Sequence, residues 1–293
     1  MRYKFLKSKF SSACDKHNHN VKSVSFICFF RMLYRKFRDD DVPALAAQLT
    51  YYIVLAFFPF LIFLIAILSY TPFNGVDTLR QLNRLLPQST YNLLEEIIFN
   101  KADVKSTSVL SLSMVGTVWS ASSGVSAIIR GINKAYGQKE YRSFWRVKWL
   151  SVIFTIALAL VFIFSLFMLV LGETLWKYFF NFLGSAAVYK STWNIIRHFI
   201  PLLTMFLVFS AAYIYFPCRR MKFGEVIPGA IFSTISLIII SLAFSFYVNN
   251  FGAYSNVYGS IGGIIALLIW LYWSCIIILL GGEINALLTI YSP

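Results

Sequence analysis

The stretch 226–282 contains no Lys, Arg, Asp or Glu, and Glu283 closes it. A soluble core helix does not need so long an uncharged run, whereas two bilayer crossings of about 20 residues each do. The segment 249–256, Asn-Asn-Phe-Gly-Ala-Tyr-Ser-Asn, is polar and contains glycine, and it reads as a tight re-entry turn between two apolar halves. The C-terminal fifth is therefore expected to be a transmembrane hairpin ending in an acid.

Composition supports this. Hydrophobic residues make up 58% of the chain and charged residues 13%, against about 25% charged in a soluble domain. The predicted fold class is all-α, a polytopic membrane protein with six transmembrane helices and both termini cytoplasmic. The formal charge of +14 could suggest nucleic acid, but in a membrane protein Lys and Arg collect on the cytoplasmic side and set orientation. No nucleic-acid partner is expected. Cys14, Cys28, Cys218 and Cys275 show no paired spacing, so reduced thiols are the default.

Residues 1–42 form a basic N-terminal segment without the apolar core and cleavage site of a signal peptide. Within it, Phe26, Phe30, Leu33 and Phe37 recur at helical spacing, with Arg31, Arg35 and Arg38 displaced to the other side. That pattern describes an amphipathic helix in the membrane interface, with anionic lipid as its partner. His17-Asn18-His19, near Cys14, lacks further ligands or a ββα-like pattern and is read as solvated tail.

Residues 43–293 are expected to form the transmembrane domain. Its first four spans fall at about 44–70, 106–129, 150–172 and 198–216, and the hairpin supplies two more. Asp39-Asp40-Asp41 followed by Pro43 is a helix-start signal, and Pro59 should kink the first span. The loop at about 71–107 carries two short amphipathic patterns and is placed outside the cytoplasm. The serine- and glycine-rich second span reads either as a centrally packed helix or as a pathway lining. Pro201 is placed in the first turn of the fourth span, where a missing N–H is harmless. With the N-terminus inside, 19 of the 26 Lys and Arg fall on the cytoplasmic side and 7 outside.

Three segments carry a resemblance. They are Ala44-Leu-Ala-Ala-Gln-Leu-Thr-Tyr-Tyr to Phe58-Pro59, then Trp119-Ser-Ala-Ser-Ser-Gly124 to Arg130-Gly-Ile-Asn133-Lys-Ala-Tyr-Gly137. The third runs from Pro228-Gly-Ala through Asn249-Asn-Phe-Gly252 and Tyr258-Gly-Ser-Ile-Gly262 to Gly281-Gly-Glu283-Ile-Asn285-Ala. Over roughly 43–286 the chain resembles the YihY/BrkB family of bacterial inner-membrane proteins. The resemblance implies a six-helix membrane fold in the bacterial cytoplasmic (inner) membrane, and no catalytic set. An old family label, ribonuclease BN, finds no support in these residues. Where the family pattern has Pro-Asn after the fourth span, this chain has Pro217-Cys218.

A hydrolase needs clustered carboxylates, a metal triad, or a nucleophile with its base, and no HExxH, GxSxG or phosphate-binding loop appears. The expectation is no enzyme, no metal and no cofactor. The favoured reading is a transporter-like or lipid-handling protein without its own nucleotide hydrolysis, acting on an unidentified small molecule or lipid. Ionisable and amide groups at membrane depth mark such pathways; the candidates are Gln48, Arg130, Asn133, Asn249, Asn250, Glu283 and Asn285. The alternatives are a structural or assembly protein of the cell envelope and, behind it, a hydrolase such as a ribonuclease. Self-association is left open.

Helical geometry adds a constraint. Gly281 and Asn285 fall on one stripe of the last span, with Gly259, Gly263, Trp270 and Ser274, while Glu283 points roughly 200° from Asn285. Both polar groups avoid lipid only if protein or water covers two sides of this helix. Glu283 is expected near the cytoplasmic boundary, either buried or reaching water.

Overall fold

The computed structural model describes residues 26–70, 107–182, 186–250 and 260–291. Seven helices occur among them, and no strand: α1 (Phe26–Asp39), α2 (Val42–Tyr70), α3 (Thr107–Ala135), α4 (Phe144–Phe182), α5 (Ala186–Tyr215), α6 (Phe223–Asn250) and α7 (Ser260–Tyr291). The 71–107 loop, the HNH tail and most of the hairpin turn lie outside the described residues.

Five helices carry stretches long and apolar enough to cross a membrane: Val42–Phe60, Ser108–Ala135, Phe144–Ser165, Phe223–Val248 and Gly262–Thr289. In α5 the described apolar stretch is shorter, Phe199–Tyr215. Large apolar side chains stand exposed in stripes, such as Ile235, Ile239, Leu242 and Phe246 on α6. Exposed apolar surface on this scale is what a lipid-facing helix presents. The chain is a multi-pass membrane protein.

Two expected boundaries move. The third span was placed at about 150–172, but α4 continues to Phe182 and is 39 residues long, about 58 Å at 1.5 Å per residue. Lys and Glu are good helix formers, so Glu173 and Lys177 do not end it. Pro201, expected in a first turn, lies in the interior of α5.

The chain divides into two compact units. In the unit 51–123, Pro59 sits within α2, and a Cβ on Gly116 of α3 would lie 3.5 Å from it, in ordinary contact. The hydroxyls of this part of α3 turn inward on their own helix: Ser113 donates to the Val109 carbonyl at 2.7 Å and Thr117 to that of Ser113 at 2.7 Å. Such back-bonding satisfies a hydroxyl in apolar surroundings without a partner helix.

The other unit holds 1–50 and 124–293. Here α4 packs on α5, α5 on α6, α6 on α7, and α7 on α1. Its core is formed by Ile129 and Ile132 of α3, Tyr213 of α5, Phe216, Val226 and Ala230 of α6, and Ala286 of α7. Ser126 and Ser151 share a hydrogen bond of 2.8 Å between α3 and α4.

Candidate functional site: a polar junction at one end of the bundle

The junction starts from how α3 stops. Gly137 adopts φ 64°, a conformation open to glycine at little cost. Its N–H bonds the Lys134 carbonyl at 2.8 Å and that of Gln138 bonds the Asn133 carbonyl at 2.9 Å, the paired bonds of a Schellman cap. The cap turns the chain back, so Glu140 reaches the Asn133 side chain, whose Nδ2 donates to Oε2 at 2.8 Å. Arg142 donates through Nε and Nη2 to the two oxygens of Glu140, each at 2.8 Å, and through Nη2 to the Phe216 carbonyl at 2.8 Å.

The turn between α5 and α6 closes this network. Cys218 donates its N–H to Asn133 Oδ1 at 2.8 Å and its thiol to Glu140 Oε1 at 3.1 Å, while Tyr141 donates to the Cys218 carbonyl at 2.9 Å. The position at which the chain departs from the family pattern is thus held largely through its backbone. Hydrogen bonding from Arg142 holds the Glu140 carboxyl at about 2, well below its ordinary value. Burial, followed by its bond to Glu140, raises the Cys218 thiol. Beyond the turn, Glu225 Oε2 accepts the Lys222 N–H at 2.9 Å, half of a capping box that starts α6.

A second network joins α5, α6 and α7. Gly229 and Gly281 face each other so closely that a Cβ on Gly229 would lie 2.2 Å from the Gly281 carbonyl. Pro228, one residue earlier, lacks an N–H and crowds the preceding turn. Beside it, Gly229 donates its N–H to Asn285 Oδ1 at 2.7 Å. Tyr213 donates to the Ile278 carbonyl at 2.7 Å and shares a 2.7 Å hydrogen bond with Ser233.

The third element is an ion pair. Lys36 of α1 meets Glu283 of α7 at 2.7 Å; both are buried, at 5% and 1% exposure. Lys36 also reaches Asp40 at 3.3 Å and donates to the Ala135 carbonyl at the end of α3. Nearby, Asp41 takes a left-handed conformation (φ 52°) between α1 and α2, and Lys134 pairs with it at 2.9 Å.

Glu283, for which a water-reaching position was one expectation, is covered by α1. In α1, the helix expected to be amphipathic at the membrane interface, Met32 and Lys36 are buried; Met32 packs with Leu287, beside Cys28, Phe29 and Leu33. Phe30 stays exposed, because the acid on α7 draws in the face that carries Lys36. Arg31, Arg35 and Arg38 remain exposed.

Of the seven sequence candidates, Asn133, Glu283 and Asn285 gather at this end. Gln48 and Arg130 are exposed on their helices. Asn250 is exposed at the far end of α6 and donates to the Phe246 carbonyl at 2.9 Å; the Asn249 side chain lies outside the described residues. Sequence reasoning missed Lys36, Glu140, Arg142, Tyr213, Ser233 and Gly229. Lys36 is one basic residue among many, and only the unmatched acid at 283 hinted that a cation should come to it. Cys218 and Cys275 are free thiols, but Cys28 is disulfide-bonded, which overturns the expectation of reduced cysteines at that position; its sequence spacing carried no pairing signal.

Elsewhere, a groove of about 230 Å³ opens between α4, α5 and α6, lined by Leu158, Val161, Phe162, Pro201, Met205 and Leu237 among others. Among the described residues no three His, Cys, Asp or Glu gather as metal ligands would.

The family model for the virulence factor BrkB matches residues 33–292. The ribonuclease-like protein YfkH of Bacillus subtilis is 39% identical over 89% of this chain and 94% of its own length. A UPF0761 membrane protein of Vibrio vulnificus is 24% identical over 94% of this chain and 86% of its own. One of Prosthecochloris aestuarii is 26% identical over 93% of this chain, but the match spans only 63% of that longer protein. No solved structure matches.

Proposed function

This chain belongs to the BrkB family of membrane proteins, and from that premise we propose that it is a transporter-like or lipid-handling protein whose cytoplasmic mouth is closed by α1. The proposal places it in the bacterial cytoplasmic membrane, with six spans, both termini inside and no nucleotide hydrolysis of its own. The observation that carries it is the buried Lys36–Glu283 pair. Desolvating two charges costs several kcal/mol per ion before their attraction returns any of it, and apolar residues of the same volume pack as well or better. A charge pair kept at the joint between α1 and α7 therefore points to a closure that must also open.

The apolar groove between α4, α5 and α6 supports the lipid arm of the reading, since it offers an acyl chain a seat on the membrane-facing surface. The exposed face of α1, with Phe30, Tyr34, Arg31, Arg35 and Arg38, suits the headgroup layer of an anionic membrane when α1 is released.

The test is reconstitution into liposomes, with parallel assays of fluorescent-lipid scrambling and of solute counterflow. Glu283→Gln and Lys36→Met, which unlock α1, should change flux several-fold while the protein stays folded. Wild type and variants equal to empty liposomes in both assays would sink the reading. The second reading, an envelope scaffold, is favoured by the filled contacts at Gly229 and Gly281, and it predicts a stoichiometric partner on mild solubilisation.

A further inference from the structure

Lys36 seats its ammonium against two oxygens that the bundle supplies without α1. Its ammonium has three oxygens around it: the Glu283 carboxylate at 2.7 Å, the Ala135 carbonyl, and the Asp40 carboxylate at 3.3 Å. Asp40 follows α1 directly and would leave with it. Glu283 and Ala135 belong to α7 and α3 and would stay. Ala135 ends its helix, where the terminal carbonyls carry the negative pole of the helix dipole. The next residue, Tyr136, has a buried hydroxyl without a hydrogen-bond partner.

We propose that these two oxygens form a binding site for a primary ammonium group, occupied in cis by Lys36 and opened to an amine on another molecule when α1 withdraws. The chemistry selects the class. An –NH3⁺ group is a compact charge with three donors, which suits the Glu283 carboxylate and the Ala135 carbonyl that remain, with a donor left for water. A planar guanidinium carries its donors in a rigid fork, and a quaternary ammonium has none to give. Among the described residues, α1 meets α7 through the ion pair and an apolar cluster in which Met32 and Leu287 are the buried members. The inference goes beyond the proposed transport role in naming the ligand chemistry, and it is tested without flux.

The experiment vacates the site. Lys36→Ala removes the atoms of n-propylammonium, so that amine should restore at least half of the lost unfolding temperature, saturably. Tetramethylammonium at equal ionic strength should not, and Lys36→Ala combined with Glu283→Gln should not respond. If Lys36→Ala does not fold, Lys36→Met, which keeps the chain length up to Cε with sulfur at the δ position and lacks the terminal nitrogen, is compared in ammonium and sodium salts. In the wild type, propylammonium should speed tryptic cleavage within α1 by displacing Lys36. Equal effects of propylammonium and tetramethylammonium, or rescue of the variant with wild-type cleavage unchanged, overturns the site as one for a ligand in trans. To separate sources, the wild type is digested in phosphatidylcholine nanodiscs with and without phosphatidylethanolamine. Faster cleavage with the second lipid alone assigns the ammonium to a headgroup, and an effect of soluble amine alone assigns it to a free amine. No response to either overturns the proposal.

Discussion

Asn285 Oδ1 accepts the backbone N–H of Gly229 at 2.7 Å, tying the last helix to the one before it beside Pro228. The bond lies where the two helices come closest, so side-chain volume there is tightly limited.

Gly281→Ala would bring a Cβ to 2.1 Å from Ser233 Oγ and 2.3 Å from the Tyr213 hydroxyl. Overpacking of this kind costs about 1–3 kcal/mol or more. Gly263→Ala, with nothing within 4 Å, should be neutral or stabilising by up to about 1 kcal/mol through helix propensity. Thermal unfolding in one detergent compares them; equal unfolding temperatures would contradict the close approach.

Removing one member of the Lys36–Glu283 pair leaves a buried charge and should cost about 3–5 kcal/mol. The double variant Lys36→Met with Glu283→Met should recover most of that, since neither charge remains. Additive losses across a double-mutant cycle would show that the two residues do not meet.

Glu140 sets a pH window. Its carboxyl titrates at about 2 when folded, against an ordinary value of 4.5, chiefly because Arg142 hydrogen-bonds it. A depressed folded value means that its contribution is present above the ordinary value and is lost as pH falls from there toward 2. Unfolding temperature should drop across that interval in the wild type, and the Glu140→Gln variant should show a shallower drop.

Cys218 should alkylate slowly at neutral pH, because burial and the bond to Glu140 raise its thiol above the ordinary value and the thiolate is the nucleophile. The rate should climb with pH, and Glu140→Gln should increase it at pH 7. A rate matching that of a free small-molecule thiol would remove Cys218 from the network.

How much of this could be read beforehand follows the type of signal. The spans were legible because uncharged runs of bilayer length have few other uses. The two sides of α7 were legible because a two-residue offset places Asn285 and Glu283 on different faces; α6 covers the first and α1 the second. The identity of the cover was not. Lys36 looks like its neighbours Arg35 and Arg38 until tertiary structure selects it. Glu140 and Arg142, two residues apart in a loop, show no periodicity that would mark their grip on Cys218. The α3 serines were ambiguous because a hydroxyl bonded to its own helix reads the same in sequence as one lining a channel.

The Lys36–Glu283 contact spans 247 positions of sequence, so one of its partners leaves the ribosome long before the other. While the chain is being inserted, Lys36 is already in place and Glu283 does not yet exist. Closing so long a loop is entropically dearer than closing a short one, and the bond can form only once α7 has entered. The pair is therefore a record of assembly: a chain that stops short of α7 or threads it wrongly leaves α1 unlatched and open to a protease, whereas one with α7 in place conceals it.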